Sequence, residues 1–543
     1  MLFLKKRRFL ILTAVLGIFL IGFISSKDPF FEIKKNFTLF SEVINEVNDL
    51  YVVPVSPERV IRRGINAMLE ELDPYTVLID EADTQEIDFM TTGRYAGVGI
   101  EAGARNGELV VIAPIDGYAA ARAGIRAGDI IRKVNGIDAS ELSPEDLNNT
   151  LRGEPGSMVT LVVERIGADD PLAFELERER IEIKNVSFFD FADDDNTIAY
   201  ISLSRFSQNA GFEVRQAIDS LSRSSNVEGL ILDLRNNPGG LLTEAVRIVD
   251  LFLPADEKVV STRGQNRQSR QVFRTEQAAV FEDIPVVILQ NRGSASSSEI
   301  VAGALQDHDR AVILGEQSFG KGLVQIIRPL SYGVALKVTS SNYFIPSGRS
   351  IQTVDYGTSD SDDSGVEFFT QNGRPVLEAT GIIPDIEFDH TPENALEIAL
   401  LRENSYFFFA NEFVSRNDRF DLDSNQLFRE FRSWLDETDF SWKMRSERVL
   451  DDFESRLLAE AGNTGSVETE LNRIRTEMES MRASQFNESR ETILRELDLE
   501  LTSRFDGTTG RQRRNLQLDP VLLNAIEILK DSESYNKILS PND

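Results

Sequence analysis

Cysteine is absent from all 543 residues, and histidine occurs only at His308 and His390. The first absence excludes disulfides, thiolate metal sites and a thiol nucleophile. The second excludes a clustered histidine metal site and deprives any reactive serine of its commonest base. Positive charge is also scarce. Lys and Arg number 58 against 89 Asp and Glu, a net charge of −31. Such a chain lacks the basic face that phosphate backbones require, so nucleic acid is excluded as a partner. What remains is ordinary for a folded protein: 41% hydrophobic and 27% charged residues, at a length that suggests three or four domains.

The chain begins with a basic cluster, Lys5-Lys-Arg-Arg8, followed by the apolar run Phe9 to Ile24. That run is a little short for a membrane span and a little long for a signal-peptide core. No small-x-small cleavage site follows it, which favours an uncleaved anchor over a cleaved signal. The cations stay on the cytoplasmic side, so the remainder is expected to be exported. An envelope location on the periplasmic side is expected, anchored to or associated with the inner membrane through the N-terminal segment, or secreted after its cleavage.

The expected organisation is an α+β/α/β multidomain chain. After residues 1–27, a helical module over 31–92 is read from Phe37, Phe40, Val43, Ile44, Val47 and Leu50 at helical spacing, closed by the turn Leu72-Asp-Pro-Tyr-Thr76. It is expected to pack on the core. Residues 93–183 form a compact β-rich unit. Residues 184–392 alternate strands (198–203, 229–234, 258–262, 286–290, 311–314, 334–339) with helices (212–222, 241–253, 298–306), an α/β layered core. Residues 263–276 are expected as a surface hairpin or loop, and the acidic stretch 353–375 as a loop or insertion. From 393 to 543 the chain reads as helical and charged. Glu468–Arg504 forms one long amphipathic pattern, suited to helix packing or oligomerisation.

Three segments of the core carry chemistry. Asn291-Arg-Gly-Ser-Ala-Ser-Ser-Ser-Glu299 lies between the buried strand Val286–Leu289 and a helix. A serine there sits beside free helix N–H groups that would stabilise an oxyanion. Ser294, Ser296, Ser297 and Ser298 also suit plain helix capping, and one of them can cap while another reacts. Lys321 stands in Gly320-Lys-Gly322, a surface turn on its own terms. With histidine this scarce, it is also the expected base for a serine, provided that it is held neutral. Gln325, four residues on, could hydrogen-bond the amine without adding a charge. In Asp233-Leu-Arg-Asn-Asn-Pro-Gly-Gly240, Gly239 or Gly240 could turn an N–H into a site at the strand ends, or simply make the strand-to-helix turn.

Two resemblances follow from these residues. Over about 90 residues, Tyr95-Ala-Gly-Val-Gly-Ile100 and Ala123-Gly-Ile-Arg-Ala-Gly-Asp-Ile-Ile-Arg-Lys-Val-Asn-Gly136 look like a PDZ domain. Glycines alone would serve tight turns, but this pattern implies a carboxylate nest at Gly97, Val98, Gly99 and Ile100 beside an open sheet edge. From about 35 to 390, the segments 233–240, 291–299 and 315–322 with Gln325 resemble the carboxyl-terminal processing proteases. Leu72–Thr76 and Gly381-Ile-Ile-Pro-Asp385 fit them too. These are serine peptidases with a Ser–Lys dyad and a crotonase-like core. The resemblance places the nucleophile on Ser296, the base on Lys321 and the lysine-orienting glutamine on Gln325. It places the oxyanion hole on the N–H of Ser297 with that of Gly239 or Gly240. Ser297 departs from the family's usual alanine, and its hydroxyl is expected to crowd the site.

The resemblance implies endoproteolysis near the C-termini of proteins with apolar tails, without metal or cofactor. The PDZ domain would bind the tail and gate the reaction. Arg178, at the last PDZ strand, is an offered coupling residue, with an exposed surface cation as the plainer reading. An adaptor protein and a homo-oligomer are further expected partners. The alternatives are a catalytically dormant PDZ scaffold of the envelope and a crotonase-type acyl-CoA enzyme, the latter opposed by the PDZ pattern and the membrane signal.

Overall fold

The computed structural model describes residues 29–541 apart from 81–83, 355, 357–366, 379, 389–393, 421–422, 439 and 462–464. The expected N-terminal anchor, His390 and the centre of the acidic stretch near 360 lie outside the described residues. No described helix is long and apolar enough to cross a membrane. Residues up to Leu78, with Leu336–Val338, form one compact unit, and the rest of the described chain from Ile79 forms another.

The first unit holds the helices Pro29–Leu50 and Pro57–Glu70. Ser56 caps the second through the Arg59 amide, and Pro57 fills its first turn, where a missing N–H costs nothing. The turn that follows is tied by Asp73, whose carboxylate accepts the amides of Tyr75 and Thr76, both at 2.8 Å.

The β-rich module of the second unit is a sheet in the order Ile100–Arg105, Glu108–Pro114, Ile130–Val134, Met158–Glu164, Leu172–Glu177. A short ribbon pairs Arg94–Gly97 with Glu179–Glu182. Val98, Val111, Ile131, Leu147, Leu161 and Leu176 fill its core. Helix Pro144–Leu151 starts at a reciprocal capping pair of Ser143 and Asp146.

The larger core of this unit is built on six strands: β1 (Val186–Phe191), β2 (Ile198–Leu203), β3 (Gly229–Asp233), β4 (Val286–Gln290), β5 (Ala311–Gly315) and β6 (Ile386–Glu387), adjacent in that order. β1 runs antiparallel to β2, and the pairs from β2 to β6 are parallel. The central strands are apolar along both faces, as a sheet covered on both sides requires. Leu230, Leu232, Val286, Ile288, Ala311 and Ile313 point to one side, beneath α1 (Ala210–Ser224), α2 (Leu242–Val249) and α3 (Ser297–Asp307). Ile231, Val287, Leu289, Val312 and Leu314 point to the other.

The sequence did not reveal what covers that second face. Val521, Leu522, Ala525, Ile528 and Leu529 of helix Pro520–Lys530 do, with Tyr535 and Leu539. The end of the helical tail is therefore a layer of the core. Helices Ala395–Arg402, Ser405–Arg416, Ser424–Glu437 and Arg490–Leu518 gather around Phe409, Phe413, Phe431, Ile493 and Leu497. The amphipathic stretch 468–504 falls on two helices, Gly465–Glu488 and Arg490–Leu518, parted at the buried Ser489.

Two further corrections concern strands. Lys258–Arg263 and Ala335–Phe344 do not join the core sheet but form a second one, with Gln271–Arg274 and Leu323–Pro329. The outer strands β1 and β6 were not anticipated, because each is short or interrupted by polar residues. The polar stretch 263–276 is a hairpin arm, as its composition suggests.

Candidate active site

Parallel strands release their loops at one edge, and β3, β4 and β5 deliver residues 234–241, 291–296 and 316–322 side by side. This is where α/β folds gather ligand-binding groups. Ser294 fastens the first two loops, donating from Oγ to the Leu234 carbonyl (2.8 Å) and accepting the Asn291 amide (3.0 Å). Asn236 and Asn291 exchange bonds of 2.9 and 3.0 Å.

Ser296 stands at the N-cap of α3 with φ 56° and ψ −113°. That backbone is sparsely populated for any residue bearing a Cβ and costs on the order of 1–3 kcal/mol. Its neighbours commit their hydroxyls elsewhere. Ser297 donates to the Gly240 carbonyl (3.0 Å) and Ser298 to the Asn237 carbonyl (2.8 Å), and both are buried. Ser296 donates to no carbonyl among the described residues, is only partly buried, and faces Glu299 across a capping box. Of the four candidate serines, it alone is not fully buried.

Glu299 holds this turn to the lysine loop. It is 0% exposed, yet its carboxylate accepts four hydrogen bonds. Oε2 takes the amides of Ser296 (2.7 Å) and Lys321 (3.0 Å), and Oε1 takes the Gly320 amide (2.7 Å) and the Ser318 hydroxyl (2.6 Å). Burial pushes its carboxyl above the usual glutamate range, against the pull of those four bonds. Tyr343, on the second sheet, adds a tie from the other side. Its hydroxyl lies 3.1 Å from the Ser296 carbonyl oxygen and 2.5 Å from that of Lys321. Burial holds the phenol well above its ordinary range, so it remains a donor. Ser296 and Lys321 are thus joined through two buried side chains to which sequence reasoning gave no role. The Ser-x-x-Glu spacing of a capping box could have flagged Glu299. Nothing in the sequence marks Tyr343.

Gly239 brings the third loop in. At φ 95°, a Cβ there would fall 2.8 Å from both Ser296 Cβ and Ser297 N. Only glycine permits this approach. The Gly239 amide is taken by Asn237 Oδ1 at 2.9 Å. Among the described residues no acceptor meets the amides of Gly240 or Ser297. The Ser297 hydroxyl, expected to crowd the site, is instead tucked against Gly240. Gln325 lies half-buried on Leu323–Pro329, with its amide nitrogen 3.5 Å from Thr339 Oγ1, the weak limit of a hydrogen bond.

In the β-rich module, Val98, Gly99 and Ile100 line a cleft of about 820 Å³ with Tyr95, Tyr118 and Leu151. Gly97 closes the strand just before it. Gly99 has φ 79°, and a Cβ there would meet Tyr118 at 2.5 Å. Strand Ile100–Arg105 is an edge of its sheet, open to strand addition. Arg178 is buried, not a surface cation. It donates to the carbonyls of Leu151, Met158 and Thr150 and to Ser157 Oγ, contacts that all lie inside this module. His308 lies away from these loops, its Nε2 2.8 Å from the Lys258 carbonyl oxygen. No group of His, Asp or Glu among the described residues is arranged to hold a metal.

Comparison with known proteins matches the profile of peptidase family S41 over residues 197–359, a PDZ domain over 110–165, and the C-terminal helical domain of a probable PDZ-protease over 396–529. A carboxy-terminal-processing protease of Bartonella bacilliformis is 38% identical over 59% of this chain and 73% of its own. A carboxyl-terminal-processing protease of Synechocystis is 38% identical over 53% of this chain and 67% of its own. Among solved structures, a photosystem II D1 C-terminal processing protease is 28% identical, covering 65% of this chain and 92% of its own at a TM-score of 0.37.

Proposed function

The chain belongs to the carboxy-terminal-processing proteases of peptidase family S41, serine-type hydrolases, and carries a PDZ domain; on that premise we propose that it cuts proteins near their C-termini with a Ser296–Lys321 dyad. The carrying observation is the single carboxylate of Glu299, which fastens the backbones of Ser296 and Lys321 to one buried point.

Neutral Lys321 accepts the Ser296 proton as Oγ attacks the scissile carbonyl. The amides of Ser297 and Gly240 face the developing oxyanion, and the positive end of α3 adds to them. The lysine ammonium then gives its proton to the leaving amine, and water releases the acyl group. Gln325 orients the amine without charging its surroundings. In the PDZ cleft the substrate carboxylate meets the backbone at Gly97–Ile100, and an apolar tail lies along Ile100–Arg105. The cleft gates the reaction, with Arg178 a candidate coupling residue acting through the helix end at Leu151. The protein works as a homo-oligomer on the periplasmic side of the inner membrane, with an adaptor delivering some substrates.

Mass spectrometry of an unstructured protein with an apolar C-terminus tests the reading. The parent should cleave it, and Ser296→Ala and Lys321→Ala should not. Retained tail binding without cleavage by any of the three would favour the dormant scaffold.

A further inference from the structure

The helical stretch Arg490–Leu518 of the C-terminal domain, broken at Gly507, ends at Asp519, and Asp519 reaches the loop after β3. Its Oδ2 lies 2.7 Å from an Arg235 guanidinium nitrogen. The same guanidinium meets Asp233, with Nε 3.0 Å from each carboxylate oxygen and a second nitrogen at 2.5 Å. Tyr200 completes the group, its hydroxyl donating to Asp233 Oδ2 at 2.8 Å. Asp233 and Asp519 are both nearly buried and Arg235 is four-fifths buried. In such surroundings a bidentate pair fixes direction as well as charge.

Arg235 is followed by the residues that carry the reaction. Asn236 sits at φ 58°, a left-handed turn that asparagine tolerates. It bonds Asn291 of the serine loop. Asn237 accepts the amides of Gly239 and Ala295, through its side chain and its carbonyl respectively. Gly240 follows, its amide without an acceptor among the described residues. The start of this loop is thus held on one side by β3 and on the other by a residue some 280 positions downstream in sequence.

We propose that the C-terminal helical domain is part of the catalytic apparatus, with Asp519 a positioning residue that fixes Arg235 and thereby the loop 235–240 facing Ser296. The proposal rests on the dyad reading for its kinetic consequence but not for its structural one. Asp519 touches no reacting atom. It also caps helix Pro520–Lys530 through the amides of Val521 and Leu522 at 3.0 and 3.3 Å. Asparagine retains that cap while losing the charge, so Asp519→Asn separates positioning from folding.

The test uses the full-length protein, measuring amide exchange and steady-state cleavage of an unstructured reporter with an apolar tail. In Asp519→Asn, exchange at the bonded amides of Arg235, Asn236, Asn237 and Gly239 should quicken by about tenfold or more while the sheet strands stay protected. The kcat should fall by about tenfold with KM within about twofold, since the loss is felt after binding. Asp519→Glu should restore part of the kcat. Arg235→Lys, which keeps the charge and loses the fork, should match Asp519→Asn, and the double variant should be no worse than either. Unchanged exchange at Arg235, Asn236, Asn237 and Gly239 overturns the proposal whatever the kcat does. So does faster exchange throughout the sheet, which would make Asp519 a general fold contact. Should the parent fail to cleave, the dyad reading falls, and exchange alone still decides the positioning.

Discussion

Ser296 and Lys321 share an acceptor: their backbone amides both donate to Oε2 of Glu299, at 2.7 and 3.0 Å. A glutamine at this position would turn an NH₂ toward amides that are themselves donors. The buried polar groups would then lose partners, each at about 1–3 kcal/mol. Glu299→Gln is expected to lower kcat by at least about tenfold, with KM nearly unchanged. Steady-state cleavage by a folded variant at the parental rate would contradict it.

The same carboxylate predicts an acid limb. Burial raises the Glu299 carboxyl above the usual glutamate range, so it takes its proton early as pH falls and then accepts fewer of its four bonds. The folded chain binds this proton more readily than the unfolded chain. This group's stability contribution is therefore present below the unfolded pKa and lost as pH rises through the folded one. Acidification through that window inactivates without unfolding by way of Glu299. Activity and circular dichroism followed together should show a reversible loss of rate at constant ellipticity. Loss of both in step would refute it.

Tyr343 ties the Ser296 and Lys321 carbonyls from the opposite side. Tyr343→Phe removes one hydroxyl and keeps the ring, at a stability cost of about 1 kcal/mol. A modest melting shift is expected, together with slower labelling of Ser296 by a fluorophosphonate. A melting shift with parental labelling would reduce Tyr343 to a packing residue.

Ser297 separates an amide from a hydroxyl. Its Oγ serves the Gly240 carbonyl, whereas the proposed oxyanion contact is its N–H. Ser297→Ala should keep kcat within about threefold and cost about 1 kcal/mol of stability. A hundredfold loss of kcat would mean that the hydroxyl itself takes part.

In the PDZ cleft, Gly99→Ala places a Cβ against Tyr118 at a left-handed backbone position. Affinity for a fluorescent apolar tail peptide should fall by about tenfold or more, because the nest amides must shift to relieve the contact. Anisotropy titration reads this directly, and unchanged affinity would move tail capture out of this loop.

Much of this was legible in sequence because it is local. The apolar runs Leu230–Leu232, Val286–Leu289 and Ala311–Leu314 read as buried strands. Gly239 and the serine run mark the loops between them. Lys321 was found through the shortage of histidine. Arg178 reads as a surface cation in sequence, because the carbonyls that bury it come from Thr150, Leu151 and Met158, 20 to 28 residues earlier. Gln325 and Tyr343 lie on neighbouring strands of a second sheet whose pairing no period-two pattern specifies.

By itself, the sequence determined the chemistry available: a serine, a lysine, glycine turns and buried strands, each a property of a few adjacent residues. Only the tertiary structure decided which partners those residues meet. Glu299 bridges two loops, Asn237 takes the Gly239 amide whereas that of Gly240 meets no acceptor among the described residues, and the tail supplies both Asp519 and the second covering of the sheet. Hydrophobic periodicity says that a face must be buried, not which distant segment buries it. That choice belongs to the packing of the whole chain.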